Sequence, residues 1–206
     1  KININLKPSE VEKGIKKFNF AFMFAPNYHS TMKHVGPARK KMGKKTIFNL
    51  IGPLSSPAQV QRQVVGVYDK KWMKPFAEAL KENNVKHAYI VHGQDGMDEI
   101  SPFVNTDVIE LKNKKLNEFT INPKELGINA PNKENIKGKN AEYNSEKIIE
   151  IYKGKINEFS QSVALNMAAG LIVSGKEDKF KIAFEKSTEH LNSGKVFQHL
   201  IKIQTI

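Results

Sequence analysis

The chain has 206 residues, of which 39% are hydrophobic and 26% charged, with no cysteine and a formal net charge of +12. That balance excludes a disordered or collagen-like polymer, and the missing thiols exclude disulfides, thiolate nucleophiles and cysteine-based metal centres. The longest apolar run, Ala164 to Val173, is interrupted by Asn166 and Gly170 and falls short of the roughly 20 residues a membrane span needs, so no membrane partner is expected, and the absence of cysteine suits a reducing cytoplasm.

The first predicted element is a short helix. Ser9 and Glu12 have capping-box spacing, and Val11, Ile15 and Phe18 share a face. After the apolar stretch Phe20 to Phe24, Pro26 and Asn27 make a turn, and Ser30 to Lys41 reads as a second helix, kinked at Gly36-Pro37 and stopped by Gly43. Thr46 to Ile51 is a short apolar run that ends in breakers, Gly52-Pro53 and Ser55-Ser56-Pro57, read as a hinge or functional loop with an internal boundary beside it. The pattern then changes. Val64 to Tyr68 reads as a strand, Trp72 to Asn83 as an amphipathic helix and Ala88 to His92 as a strand, which together make a right-handed βαβ unit.

Asp107 to Leu111 and Leu116 to Ile121 read as a hairpin across the lysine-rich turn Lys112 to Lys115, and Asn122 to Asn140 as a polar connection. Helices follow over Ser145 to Lys153, Glu158 to Ser174, Lys176 to Leu191 and Lys195 to Ile203. The segment with Val163, Leu165, Met167, Ala168, Ala169, Leu171 and Ile172 is apolar nearly all round, so it is expected between other elements, on the sheet.

Two segments hold the chemistry. His92-Gly93-Gln94-Asp95-Gly96-Met97-Asp98-Glu99 directly follows a predicted strand, where open α/β sheets bind ligands, and its carboxylates are hard oxygen donors suited to Mg²⁺. From spacing alone, Asp98 and Glu99 read more readily as solvated charges beside an Asp95-Gly96 turn than as metal ligands. In the second segment, His29, Lys33, His34 and Arg39 fall at helical spacings. Arg39 could clasp a planar carboxylate, or the helix could simply be basic and exposed. The remaining basic residues are nearly all lysine, with Arg62 the one other arginine, which reads as a solvated surface more than a nucleic-acid footprint. No glycine-rich phosphate cradle, H-E-x-x-H or G-x-S-x-G is present.

Several motifs in order, Phe24-Ala25-Pro26-Asn27-Tyr28-His29, Met32 to Lys40, Thr46 to Leu54, Val91 to Ser101 and Ala164 to Ala169, make the chain resemble the anthranilate phosphoribosyltransferases. The resemblance implies an α/β fold in which a mostly parallel sheet is flanked by helices, as in nucleoside phosphorylases and phosphoribosyltransferases, plus part of a small helical domain. Residues 1–57 would be the helical part and hinge, and 58–206 the carboxyl-terminal part of the α/β domain. It also implies Mg²⁺-dependent transfer of phosphoribosyl from phosphoribosyl pyrophosphate (PRPP) to the amine of anthranilate, a step of tryptophan biosynthesis. Residue by residue, Arg39 matches the family's anthranilate-carboxylate arginine, His29 the same acceptor pocket, Gly52 and Pro53 the hinge loop, and Asp98 and Glu99 the magnesium-binding pair.

Two upstream family motifs, a G-T-G-G-D donor loop and a K-H-G-N-R segment, have no counterpart here, and the chain starts at Lys1. The resemblance therefore implies a carboxyl-terminal portion, inactive by itself, of an enzyme that commonly forms a homodimer. A pyrimidine-nucleoside phosphorylase and a non-catalytic basic nucleic-acid-binding module are the alternatives. The acidic pair with Arg39 argues against the first, and the shortage of arginine against the second.

Overall fold

The structure, a computed structural model, describes residues 2–28, 41, 43, 50–129, 133–156 and 158–204. The chain forms two compact units, one of residues 1–57 with 197–206 and the other of residues 58–196. Residues 197–206, expected with the α/β part, thus group with the first unit.

In the first unit, helix α1 (Pro8–Phe18) starts with proline at a position whose N–H has no intrahelical partner anyway. This sets the start of the helix, so the reciprocal cap differs from the expected Ser9–Glu12 pair: the Lys7 N–H donates to the Glu10 carboxylate at 2.7 Å. Glu12 pairs with Lys16 on the exposed face instead. Val11 is buried, as are Leu6 before the helix and Leu50 and Ile203 elsewhere in this unit. A one-turn helix α2 (Ala25–Tyr28) follows, and the Tyr28 hydroxyl donates to the Leu6 carbonyl at 2.9 Å. The helix expected over Ser30 to Lys41 lies almost wholly outside the described residues. Gly52 and Pro53, read as breakers, form the middle of another one-turn helix, α3 (Ile51–Leu54). Pro53 is tolerated there because the first turn needs no donor from it.

The second unit is built on a four-stranded sheet in the order β1 (Arg62–Gly66), β2 (His87–Gly93), β3 (Thr106–Lys112), β4 (Lys115–Ile121). Strands β1 and β2 are parallel, Arg62 opposite His87 through Gly66 opposite Val91, and are joined through helix α4 (Met73–Glu82) as the predicted βαβ unit. Strands β2, β3 and β4 pair antiparallel. The α/β class with flanking helices holds, but the expected mostly parallel sheet is corrected to a mixed one among the described residues. The β3–β4 pairing follows from a two-residue turn, Asn113 and Lys114 at left-handed φ (51° and 64°), which can join only antiparallel strands; β3 in turn runs against β2 after the connection 94–105, which contains no crossover helix.

Helices follow in chain order as α5 (Ala141–Tyr152), α6 (Glu158–Ser174), α7 (Phe180–Asn192) and α8 (Lys195–Ile203). The apolar α6 is the central one, packed on β1 and β2 and against α5 and α7. Leu165, Ala168 and Ala169 on it are fully buried with Tyr89, Val91 and Val108 of the sheet. The alternate sheet residues Ala88, Ile90 and Leu111 are buried too, on the side where Phe76, Ala77 and Leu80 of α4 cover β2 and β3. Burial on both faces explains why β2 reads as a continuous apolar run. Helix α7 starts later than expected because Gly175 adopts a left-handed φ of 75° and the N–H groups of Lys176 and Glu177 fold back to the Leu171 carbonyl, capping α6. The Arg62 guanidinium adds a bond to the Val173 carbonyl at 2.6 Å. Trp72, at the start of α4, is half-buried with its Nε1–H enclosed and without a hydrogen-bond partner among the described residues. Among the described residues no helix is long and apolar enough to cross a membrane.

Candidate active site

The loop after β2 is tied together by its own backbone: the Gly93 N–H donates to the Met97 carbonyl, and the Gly96 N–H to that of Gly93, both at 2.8 Å. Gly96 has a φ of 89°, a conformation that glycine alone enters without strain. Beside the loop, His92 Nδ1 lies 2.8 Å from the Val67 carbonyl. A carbonyl only accepts, so Nδ1 carries the proton and the ring is fixed as a brace between the ends of β1 and β2.

The carboxylates of this loop divide into two roles. Asp95 is turned inward and accepts from the Met97 N–H at 3.3 Å, the Ser101 hydroxyl at 3.3 Å and Lys133 Nζ at 3.0 Å. Partial burial pushes its pKa up, but the bonds from Lys133, Met97 and Ser101 outweigh burial and hold it below the usual carboxylate range. Stability from Asp95 is therefore present above the ordinary carboxylate pKa and is lost as the pH falls through the lower, folded value. Asp95→Ala is expected to cost about 1 kcal/mol at neutral pH, a figure that allows for solvent screening of the Lys133 pair, and this deficit should shrink in acid. Urea denaturation at pH 7 and pH 3 checks both statements.

Asp98 and Glu99 face instead a pocket of about 500 Å³ beyond the carboxyl ends of β1 and β2, with Gly66, Val91, Asn166 and Met167 among its lining. Neither carboxylate has a hydrogen-bond or ion-pair partner among the described residues. Glu99 is exposed as a residue, yet partial burial of its carboxyl raises its pKa, and the adjacent Asp98 charge raises it further. Two like charges at a pocket wall, with no lysine or arginine among the described residues neutralising them, favour a divalent cation. Among the described residues no group of three or more histidine or acidic side chains could hold a metal ion. A carboxylate pair fits Mg²⁺, which takes one or two such ligands and fills its remaining positions with water and substrate oxygens.

Gly52 and Pro53 lie in α3 of the first unit, while Asp98 and Glu99 belong to the second. His29 and Arg39 lie outside the described residues. One pocket residue, Asn166, accepts a hydrogen bond from the Ile100 N–H at 3.2 Å, a contact that the sequence pattern does not reveal. It stood out only as an interruption of an apolar run, although a polar side chain on a buried helix must find partners, and that was the available signal.

The family model described as "Glycosyl transferase family, a/b domain" matches residues 1–197, and the chain belongs to that family. Within it, relatives of this chain include anthranilate phosphoribosyltransferases. That of Pelagibacter ubique (strain HTCC1062) is 53% identical over 205 residues, covering 100% of this chain and 62% of the relative. The crystal structure of the enzyme from Thermus thermophilus superposes with a TM-score of 0.90 at 31% identity, over 99% of this chain and 60% of that one. The Saccharomyces cerevisiae enzyme in complex with PRPP and Mg matches at a TM-score of 0.89 and 26% identity, over 99% of this chain and 59% of that one. The same yeast enzyme in complex with 4-fluoroanthranilate matches at 0.88 and 27%, over 98% and 59%. The chain thus spans about three-fifths of the length of the relatives it matches.

Proposed function

We propose that this chain supplies part of the active site for transfer of the phosphoribosyl group from PRPP to anthranilate. The supporting observation is the Asp98–Glu99 couple, without an ion-pair partner among the described residues, at the pocket beyond the carboxyl ends of the parallel strands. In this reaction the bond from the ribose anomeric carbon to pyrophosphate breaks with its electron pair leaving on pyrophosphate, a carbon–nitrogen bond forms to the anthranilate amine, and the amine gives up a proton to the surrounding water. Asp98 and Glu99 would hold a Mg²⁺ ion, which when bound offsets the charge that grows on the departing pyrophosphate.

Arg39 anchors the anthranilate carboxylate through two parallel hydrogen bonds, so that the neighbouring amine is directed at the anomeric carbon. An aryl amine is uncharged at neutral pH and needs placement more than a strong base. His29 lines the same acceptor pocket, with Gly52 and Pro53 in the adjoining hinge. Residues 1–57 with 197–206 belong on this reading to a helical domain and 58–196 to the α/β domain, in a cytoplasmic homodimer without a nucleic-acid or membrane partner.

The direct test follows anthranilate fluorescence with PRPP and Mg²⁺ for the complete gene product and the 206-residue chain in parallel. The gene product is expected to consume anthranilate only with both additions, and the chain alone to be inert. A gene product inert towards anthranilate overturns the substrate assignment, and turnover by the chain alone overturns its inactivity.

A further inference from the structure

The loop that carries the acidic pair is gripped at two points far apart in sequence. On the β1 side, the backbone of Asp98 rests on Gly66. A Cβ at Gly66 would stand 1.5 Å from the Asp98 carbonyl oxygen and 2.4 Å from its carbonyl carbon, so no side chain fits. Gly66 is not among the residues with positive φ, and its requirement is therefore space, not conformation.

On the α6 side, the Ile100 N–H donates to Asn166 Oδ1 at 3.2 Å, while Asn166 Nδ2 donates to the Ser162 carbonyl at 2.9 Å. The second bond settles which way the amide faces: a flipped amide would set donor against donor at Ile100 and acceptor against acceptor at Ser162. Ile100 is fully buried, so its N–H has no water to turn to. The two grips bracket the acidic pair, Gly66 under the first carboxylate residue and Asn166 on the residue just after the second.

Two adjacent carboxylates without a cation repel, and a free loop would relax by parting them. A loop held at both ends cannot. We propose that Gly66 and Asn166 are positioning residues that hold Asp98 and Glu99 together at the pocket wall, ready to bind a divalent cation carried by a polyphosphate substrate. The inference rests on the reading of that pair as the cation site. Gly66 acts by close approach and Asn166 by a hydrogen bond.

The test is water-proton relaxation of Mn²⁺ with PRPP, titrated with the complete gene product and its variants, with each Tm measured alongside. Wild type is expected to bind and Asp98→Asn/Glu99→Gln to lose binding. Asn166→Ala and Gly66→Ala should each weaken binding about tenfold or more, the range seen when groups that orient metal ligands are removed. Leu191→Ala, a core truncation on α7, controls for mere destabilisation: it should lower the Tm while leaving Mn²⁺ affinity unchanged. If Gly66→Ala fails to fold, Asn166→Ala decides. Unchanged affinity in folded Asn166→Ala overturns the positioning role and leaves the cation site standing. Failure of wild type to bind, or full binding by the double acidic variant, overturns the cation site and this inference with it. Affinity that falls as much in Leu191→Ala as in Asn166→Ala also overturns the positioning role.

Discussion

Asp98→Asn combined with Glu99→Gln is expected to reduce Mg²⁺-dependent consumption of anthranilate by the complete gene product at least about 100-fold, with no rescue by excess metal. The two carboxylates share a pocket wall and have no other partner among the described residues, so their loss removes a charge that nothing nearby replaces. Stability should move the other way. The Glu99 carboxyl has a raised pKa in the folded chain, so in the window between the unfolded and folded values the folded state binds more protons than the unfolded. Above that window the ionised carboxylate weakens the fold. Glu99→Gln alone is therefore expected to raise the Tm by roughly 1–2 °C at pH 7, with the gain vanishing as the pH falls below the ordinary carboxylate range. Calorimetry at pH 7 and pH 4, beside the activity assay, checks both halves. Full activity in the double variant would remove the pair from the mechanism. A stabilised but inactive variant is what a site kept for function and not for folding should give.

Arg39→Ala is expected to raise the KM for anthranilate about 10- to 100-fold, the worth of hydrogen bonds to a charged group, while the KM for PRPP changes little. Arg39→Lys should recover only part of the loss, because a single ammonium cannot match both carboxylate oxygens as a guanidinium does. Steady-state kinetics with each substrate varied in turn separates these outcomes. An equal rise in both constants would assign Arg39 to general architecture. This expectation rests on the motif Met32 to Lys40 and on the chemistry of the acceptor.

Much of the second unit was readable from local pattern. The βαβ unit, the hairpin and the buried α6 each announce themselves within a few residues, through alternation, β-branched runs or an apolar surface on every side. Local rules misled where two signals competed. Pro8 overrode the Ser9–Glu12 spacing at the start of α1, and Gly52-Pro53, breakers in isolation, fit a single helical turn. The carboxylates after β2 were visible as a cluster, but their division was not. Asp95 is withdrawn from the pocket by Lys133, which lies beyond the β3–β4 hairpin, and no spacing rule reaches that far. The same holds for Gly66 and Asn166. Their contacts with Asp98 and Ile100 are products of how β1, β2 and α6 pack, and in the sequence they are a glycine in a strand and an asparagine in a helix.

Trp72 gives the molecule a spectroscopic asymmetry. It is the one tryptophan in the chain, and it belongs to the second unit. Indole emission excited near the red edge, where tyrosine does not absorb, therefore reports from the second unit, whereas far-ultraviolet dichroism records helix loss in both units. Coincident melting curves from the two signals would mean that the units come apart as one cooperative body. A dichroism change that precedes the emission change would mean that the small helical unit opens first, with the acid-bearing loop and its two grips still in place.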